Sequence, residues 1–145
     1  MQDRRYKIYD LKNISTDNFL MTPLELKDYT DFEVKRIYFF STDPAGERLT
    51  GSHCHIEEED ELFVMIQGST TMVLDDGHGI EEVSLKGPKQ AIRIPPMVWH
   101  HFKDMSDDAV ILALTSTNYD PDRLDYCEDY EEFKKLLLEK NLKVE

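Results

Sequence analysis

From Gly51 to Thr115 the chain is cut into short apolar runs by closely spaced turn signals, and this punctuation leaves few folds open. The breaks fall at Gly68, at Asp75-Asp76-Gly77-His78-Gly79, at Gly87-Pro88 and at Pro95-Pro96. Between them lie Leu62–Ile66, Thr70–Leu74, a weaker run through Ile80, Val83 and Leu85, then Ala91–Ile94, Met97–Phe102 and the strongly apolar Ala109–Thr115. Runs of this length bounded by glycine and proline read as strands, and the Asp-Gly break reads as a hairpin turn. A helix needs a longer periodic stretch than these breaks allow.

Upstream, Tyr6–Tyr9 alternates and, with charges on either side, suits an edge strand. Residues 11–31 are polar and mixed, with Thr22-Pro23 marking an extended or turning stretch. Phe32–Phe40 predicts a strand with Val34, Arg36, Tyr38 and Phe40 on one face and Lys35, Ile37 and Phe39 on the other. Apolar residues on both faces imply burial on both sides, or a contact with a second subunit. Asp43-Pro44-Ala45-Gly46 is a further turn signal. Only the tail changes period: Tyr126, Tyr130, Phe133 and Leu137 fall near helical spacing, which predicts an amphipathic helix over 129–140 whose aromatic stripe packs on the body. Eight or more short strands and one terminal helix make an all-β chain, a single domain over 1–145 with 1–30 as an N-terminal strand or arm. A double-sheet jelly roll fits best, and its open mouth can hold a small molecule.

Charge narrows the partners. The formal net charge of −13 argues against nucleic acid, which demands clustered Lys and Arg. The acidic runs at 57–60, 75–76, 81–82, 107–108 and 120–132 read mainly as solvated turns and faces. Two cysteines, Cys54 and Cys127, match no zinc spacing and make no disulfide framework. No apolar run approaches membrane-spanning length and the first residues carry no apolar signal region, so the expectation is a soluble cytoplasmic protein without a membrane partner.

The chemistry concentrates at Gly51–Gly68. His53 and His55 are one residue apart, so on an extended backbone both imidazoles point to one face and Cys54 to the other. An acidic run, Glu57-Glu58-Glu59-Asp60-Glu61, follows them. Paired imidazoles beside a carboxylate suit either a metal ion or proton transfer. His101 alternates away from His100, and His78 in its hairpin turn reads as solvent-facing.

These residues carry a family likeness. Gly51…His53-Cys54-His55…Glu61…Gly68 resembles the first cupin motif, and Pro95-x-Met97-x-x-His100 the second, with Met97 where a glycine is usual. More narrowly the chain resembles the WxcM-like cupins, whose best-known members are sugar-nucleotide 3,4-ketoisomerases. The supporting segments, in order, include Thr22-Pro23-x-Glu25, Lys35–Phe39, Gly51–His55, Ile94–His100, Asp104–Asp108, Asn118-Tyr119-Asp120 and Asp129–Phe133. The resemblance implies a homodimeric jelly roll with exchanged N-terminal strands. It implies an isomerase that moves the carbonyl of a dTDP-linked 4-keto-6-deoxyhexose from C4 to C3, in deoxysugar and polysaccharide biosynthesis, without a redox cofactor. It implies catalysis by His53, assisted by His55 and Tyr38.

An imidazole with an unperturbed pKa of about 6.5 can take the proton next to a ketone and return it to the adjacent carbon. For the substrate, Arg36 and Arg93 are candidate diphosphate contacts, because a guanidinium grips phosphate oxygens in a planar fork. Trp99, His100 and Tyr119 are candidate contacts with the remainder of the ligand. Isomerising relatives usually carry an arginine and a tyrosine around the glycine before the first histidine, where this chain has Thr50 and Ser52. They commonly have glutamine at the place of Glu61, for which Glu59 competes. With Glu61 an acid, His53, His55, Glu61 and His100 form the ligand set of metal-binding cupins, suited to a divalent transition metal such as Zn, Fe, Mn or Ni. The alternatives to the ketoisomerase are thus a metal-dependent cupin acting on a small sugar or acid, and a sugar-nucleotide-binding cupin without catalysis.

Overall fold

The computed structural model describes residues 3–43 and 50–144. In chain order the strands are β1 (Lys7–Asp10), β2 (Ile14–Ser15), β3 (Leu20–Met21), β4 (Arg36–Ser41), β5 (Thr50–His55), β6 (Glu61–Gln67) and β7 (Ser69–Asp75). They continue as β8 (Ile80–Lys86), β9 (Gln90–Ile94), β10 (Trp99–Lys103), β11 (Val110–Thr115) and β12 (Tyr126–Cys127), and one helix, α1 (Tyr130–Glu139), closes the chain. A single 3₁₀ turn, Leu26–Asp28, interrupts the arm.

Two five-stranded antiparallel sheets face each other, ordered β1-β9-β6-β11-β4 and β12-β5-β10-β7-β8. The strand period of two decides what lies between them. Tyr38, Phe40, Phe63, Met65, Ile92, Ile94, Ile111 and Ala113 come from the first sheet and Met72, Leu74, Leu85 and Phe102 from the second. The residues that alternate with these on each strand fill two outer layers. Leu62, Val64, Ala91 and Leu114 are covered by the arm through Leu11, Leu24, Tyr29 and Val34. Cys54, Trp99 and Cys127 are covered by α1 through Phe133 and Leu137. Asp129 caps the helix by accepting from the Glu131 and Glu132 amides at 2.8 and 3.2 Å.

Several expectations are corrected. The strand expected over Phe32–Phe40 starts at Arg36, where pairing with β11 begins opposite Thr115. Within one chain its outer face is open, Ile37 and Phe39 being 61% and 74% exposed, which overturns burial on both sides and leaves the second-subunit alternative. Tyr126 belongs to β12 and not to the helical stripe. The polar arm contains a small two-stranded sheet of its own, β2 with β3. His78 is half-buried, its Nδ1 3.0 Å from the fully buried Asp76 carboxylate, because Arg4 and the Arg5 amide also bind Asp76 and fold the N-terminus over the turn. The turn at 43–46 lies, beyond Asp43, outside the described residues.

Gly68 joins β6 to β7 at φ +76, and a Cβ there would collide with Ser106 Oγ and sit 2.8 Å from Ala109 Cα. Gly68→Ala is therefore expected to destabilise the fold by about 2–4 kcal/mol, read as a lower urea midpoint with an unchanged slope.

Candidate active site

Strand register assembles the site. On β5 the side chains of His53 and His55 point between the sheets, and Cys54 points outward under α1. His100 on β10 lies directly opposite His53, and Tyr126 on β12 directly opposite His55. One row across three neighbouring strands therefore presents three imidazoles and a phenol. A bulge sharpens the row: His53 pairs His100 but Thr50 pairs Phe102, so β5 carries one residue more than β10 there. Gly51 takes that extra residue at φ +83, a conformation glycine adopts without strain.

The facing sheet supplies the acids. Glu61 opens β6, and Tyr38 on β4 places its hydroxyl 3.4 Å from Glu61 Oε2. Glu59 arrives from the loop before β6. The Asp125 carboxylate accepts from the Glu57, Glu58 and Glu59 amides at 2.7, 3.1 and 3.0 Å, and this cap turns the Glu59 side chain inward. Both contenders for the acid position thus reach the site. His55 Nε2 lies 2.8 Å from Glu59 Oε2 and 2.6 Å from Glu61 Oε1. His53 Nε2 stands 3.3 Å from the same nitrogen. Thr117 Oγ1 donates to Glu59 Oε1 at 2.7 Å.

Burial and partners separate the three rings. Burial alone would depress His55, but the hydrogen bonds to Glu59 and Glu61 outweigh it and hold the ring at about 9, an imidazolium at neutral pH. His53 has no such partner. Burial, then the neighbouring His100 and His55, push it down to about 2, so it stays neutral. It is also the one ring of the three left half-exposed; His55 and His100 are buried. Burial lowers His100 to about 4. Its Nδ1 sits 3.0 Å from the Val98 carbonyl, which can only accept, so Nδ1 carries the proton and the buried Nε2 lone pair has no partner. Burial raises Glu61; burial also pushes Glu59 up, but its hydrogen bonds to His55, Glu61 and Thr117 outweigh that and draw it down, so the carboxyl pair shares protons unequally.

Aromatic rings wall the cavity. Tyr126 packs 4.5 Å from the His55 ring and 5.0 Å from that of His53. The Arg36 guanidinium lies 4.5 Å from the Tyr38 ring centre and 5.2 Å from that of Tyr119. The other candidate contacts do not join this group. Arg93 is on the arm side of the first sheet, bonded to Asp60 at 2.8 Å and Asp31 at 2.5 Å, because its strand parity opposes that of Ile92 and Ile94. Trp99 is on the helix side of the second sheet, against Tyr130 and Phe133. Sequence parity could have assigned Trp99 outward, since His100 points in. Tyr126, Asp125 and Thr117 carry no site signal in the sequence: β12 is two residues long, and Tyr126 mimics the helical spacing that follows it.

The family model described as FdtA, WxcM-like, C-terminal, matches residues 4–138. A TDP-4-oxo-6-deoxy-α-D-glucose 3,4-oxoisomerase from Aneurinibacillus thermoaerophilus is 34% identical over 139 residues, 96% of this chain and 97% of that protein. The TDP-quinovose 3,4-ketoisomerase WlaRB from Campylobacter jejuni is 30% identical and superposes with a TM-score of 0.79 over 92% of this chain and 99% of its own. A 3,4-ketoisomerase from Helicobacter canadensis is 28% identical with a TM-score of 0.81, covering 94% and 99%. Two facing sheets with the histidine row between them, and a match along nearly the whole length, have one reading: the chain belongs to the WxcM-like family.

Proposed function

We propose that this protein is a sugar-nucleotide 3,4-ketoisomerase that moves the carbonyl of a dTDP-linked 4-keto-6-deoxyhexose from C4 to C3. The observation that carries the reading is geometric: a half-buried His53 whose Nε2 lies 3.3 Å from the Nε2 of the buried His55, which itself lies 2.8 Å from Glu59 and 2.6 Å from Glu61. Isomerisation needs a base for the C3 hydrogen and an acid for the oxygen at C4. His53 takes the C3 proton, the released electron pair forms the C3–C4 double bond, and His55 delivers a proton to the C4 oxygen. In the second half the C3 hydroxyl gives its proton to the now neutral His55, the C3–C4 electron pair takes hydrogen back from His53 at C4, and both rings return to their starting states. Tyr38 stands beside Glu61 to hold an oxygen of the enediol.

His53→Ala is expected to lower turnover of dTDP-4-keto-6-deoxyglucose by about 10²–10⁴-fold, followed by NMR of the 3-keto product. Retention of wild-type turnover would sink the assignment. In deuterated water the wild type should exchange the C3 hydrogen; a binding module without catalysis would not. The charge on His55 has its own test. Its pKa is raised on folding, so the imidazolium and the stability it brings are complete below about 6.5 and are lost as pH rises through about 9. Ring resonances of His55 should titrate at that upper value, and Glu59→Gln should bring the midpoint down by about one unit or more.

A metal-dependent reaction is a second reading, favoured by one observation: ligand atoms of His53, Glu61 and His100 lie within 4.8 Å of one another, and the buried His100 Nε2 has no hydrogen-bond partner. A divalent transition metal fits that donor set, with His55 beside it, and would supply a Lewis acid. Metal analysis separates the readings. A stoichiometric ion whose removal abolishes turnover selects the second; full turnover by chelator-treated protein selects the first.

We place the protein in the cytoplasm as a homodimer with exchanged N-terminal strands. No helix among the described residues is long and apolar enough to cross a membrane. Supporting the dimer, Ile37 and Phe39 on the edge strand β4 and Phe19, Leu20 and Met21 around the separate β2–β3 pair are all exposed apolar side chains. Phe39→Glu should shift the mass measured by light scattering from two chains to one.

A further inference from the structure

The described arginines are not alike. Arg4 pairs with Asp76 and Glu81, Arg93 with Asp31 and Asp60, and Arg5 donates to the carbonyls of Asp76, Pro96 and Met97. These tie distant segments together. Arg36 and Arg123 do not: both guanidiniums are held at the cavity wall against tyrosine rings. Arg36 lies against the rings of both Tyr38 and Tyr119, and no carboxylate among the described residues pairs with it. Arg123 lies 3.8 Å from the centre of the Tyr126 ring, whose other neighbours are His53 and His55.

Tyr119 connects the two. Its ring carries Arg36, and its hydroxyl accepts from Arg123 NH1 at 3.4 Å. Glu128 takes Arg123 Nε and NH2, which turns NH1 toward Tyr119 and hence toward Arg36. Arg123 also sits at φ +53, a left-handed conformation that costs an ordinary residue energy, so the chain accepts strain to set it there. Two like charges are thus drawn to one ring, with Glu128 paired to Arg123 alone, in a chain whose net charge is −13. Such convergence is unfavourable in isolation and becomes favourable when an anion lies across both.

We infer that Arg123 is the second half of a two-guanidinium clamp, with Arg36 and across Tyr119, that holds the diphosphate of the nucleotide sugar at the mouth of the histidine cavity. The inference rests on the nucleotide-sugar reading given above. It assigns a binding role to a residue in the β11–β12 loop that no motif marks. It also supplies cation at the mouth in a chain with Thr50 and Ser52 beside the glycine that precedes His53. Arg123 grips phosphate with its free N–H groups while Tyr126 supports its plane, so a lysine would keep the charge and lose the fork and the stack.

The test is calorimetric binding of thymidine, dTMP and dTDP to the wild type and to Arg123→Ala, Arg123→Lys and Arg36→Ala. The clamp predicts that Arg123→Ala weakens dTDP about tenfold, dTMP less, and thymidine not at all. Arg123→Lys should fall between, and Arg36→Ala should show the same dependence on phosphate number. Thymidine is the internal control, because a merely structural role would weaken all three ligands alike, and that result overturns the clamp. Unchanged dTDP affinity in Arg123→Ala also overturns it while leaving the ketoisomerase reading in place. A wild type that binds none of the three removes that reading and the clamp together.

Discussion

The interaction on which the rest depends is the contact of one imidazole nitrogen with two buried carboxylates. Glu59 and Glu61 are 5% and 1% exposed, and taking two such groups out of water is costly unless each finds a charge or donor. His55 Nε2 meets both, and every neighbour completes the arrangement. Asp125 caps the loop that delivers Glu59, Thr117 donates to its other oxygen, and Tyr38 stands over Glu61. The outcome is an asymmetric histidine pair, one ring charged and the other neutral, set by partners rather than by any difference in the rings themselves.

The two sheets divide the labour. The second contributes the imidazoles in a row of register-matched positions, and the first contributes the acids and the Tyr38 phenol. Neither sheet holds the cluster alone, so the distance between them sets how far the imidazoles stand from the acids and the phenol. That distance is set by ordinary core residues such as Phe63 and Phe102, whose rings meet edge to face at 5.1 Å. The outer layers then hold each sheet in place, the arm on one side and α1 on the other.

Much of this was legible in the sequence because the strand period is rigid. Once Gly51–His55 is a strand, the facing of His53, His55 and Cys54 follows, and the turns at Asp76-Gly77 and Gly87-Pro88 place the strands after it. The same arithmetic put Tyr38 and Arg36 on the inner face. It failed where the period was broken or short. Arg93 looked close to the second motif in sequence, yet alternation sends it to the outer surface beside Asp31 and Asp60. Trp99 follows the same rule. Tyr126 was hidden by aromatic spacing that continues into the helix, and Asp125 acts through a carboxylate-to-amide cap across 66 to 68 residues of chain, which no local pattern reveals.

The turn into β10 bears on how the molecule can respond to change. Met97 occupies a left-handed backbone conformation, φ +62, that glycine adopts without strain, yet its side chain is buried among Trp99, Phe133 and Leu137. Its amide donates to the His55 carbonyl at 2.6 Å. Backbone discomfort at that spot is thereby exchanged for anchorage of α1, and the histidine strand is wired to the same joint. A glycine at that place would relax the backbone but leave the terminal helix without this anchor, so one residue couples the seating of α1 to the position of the histidine strand.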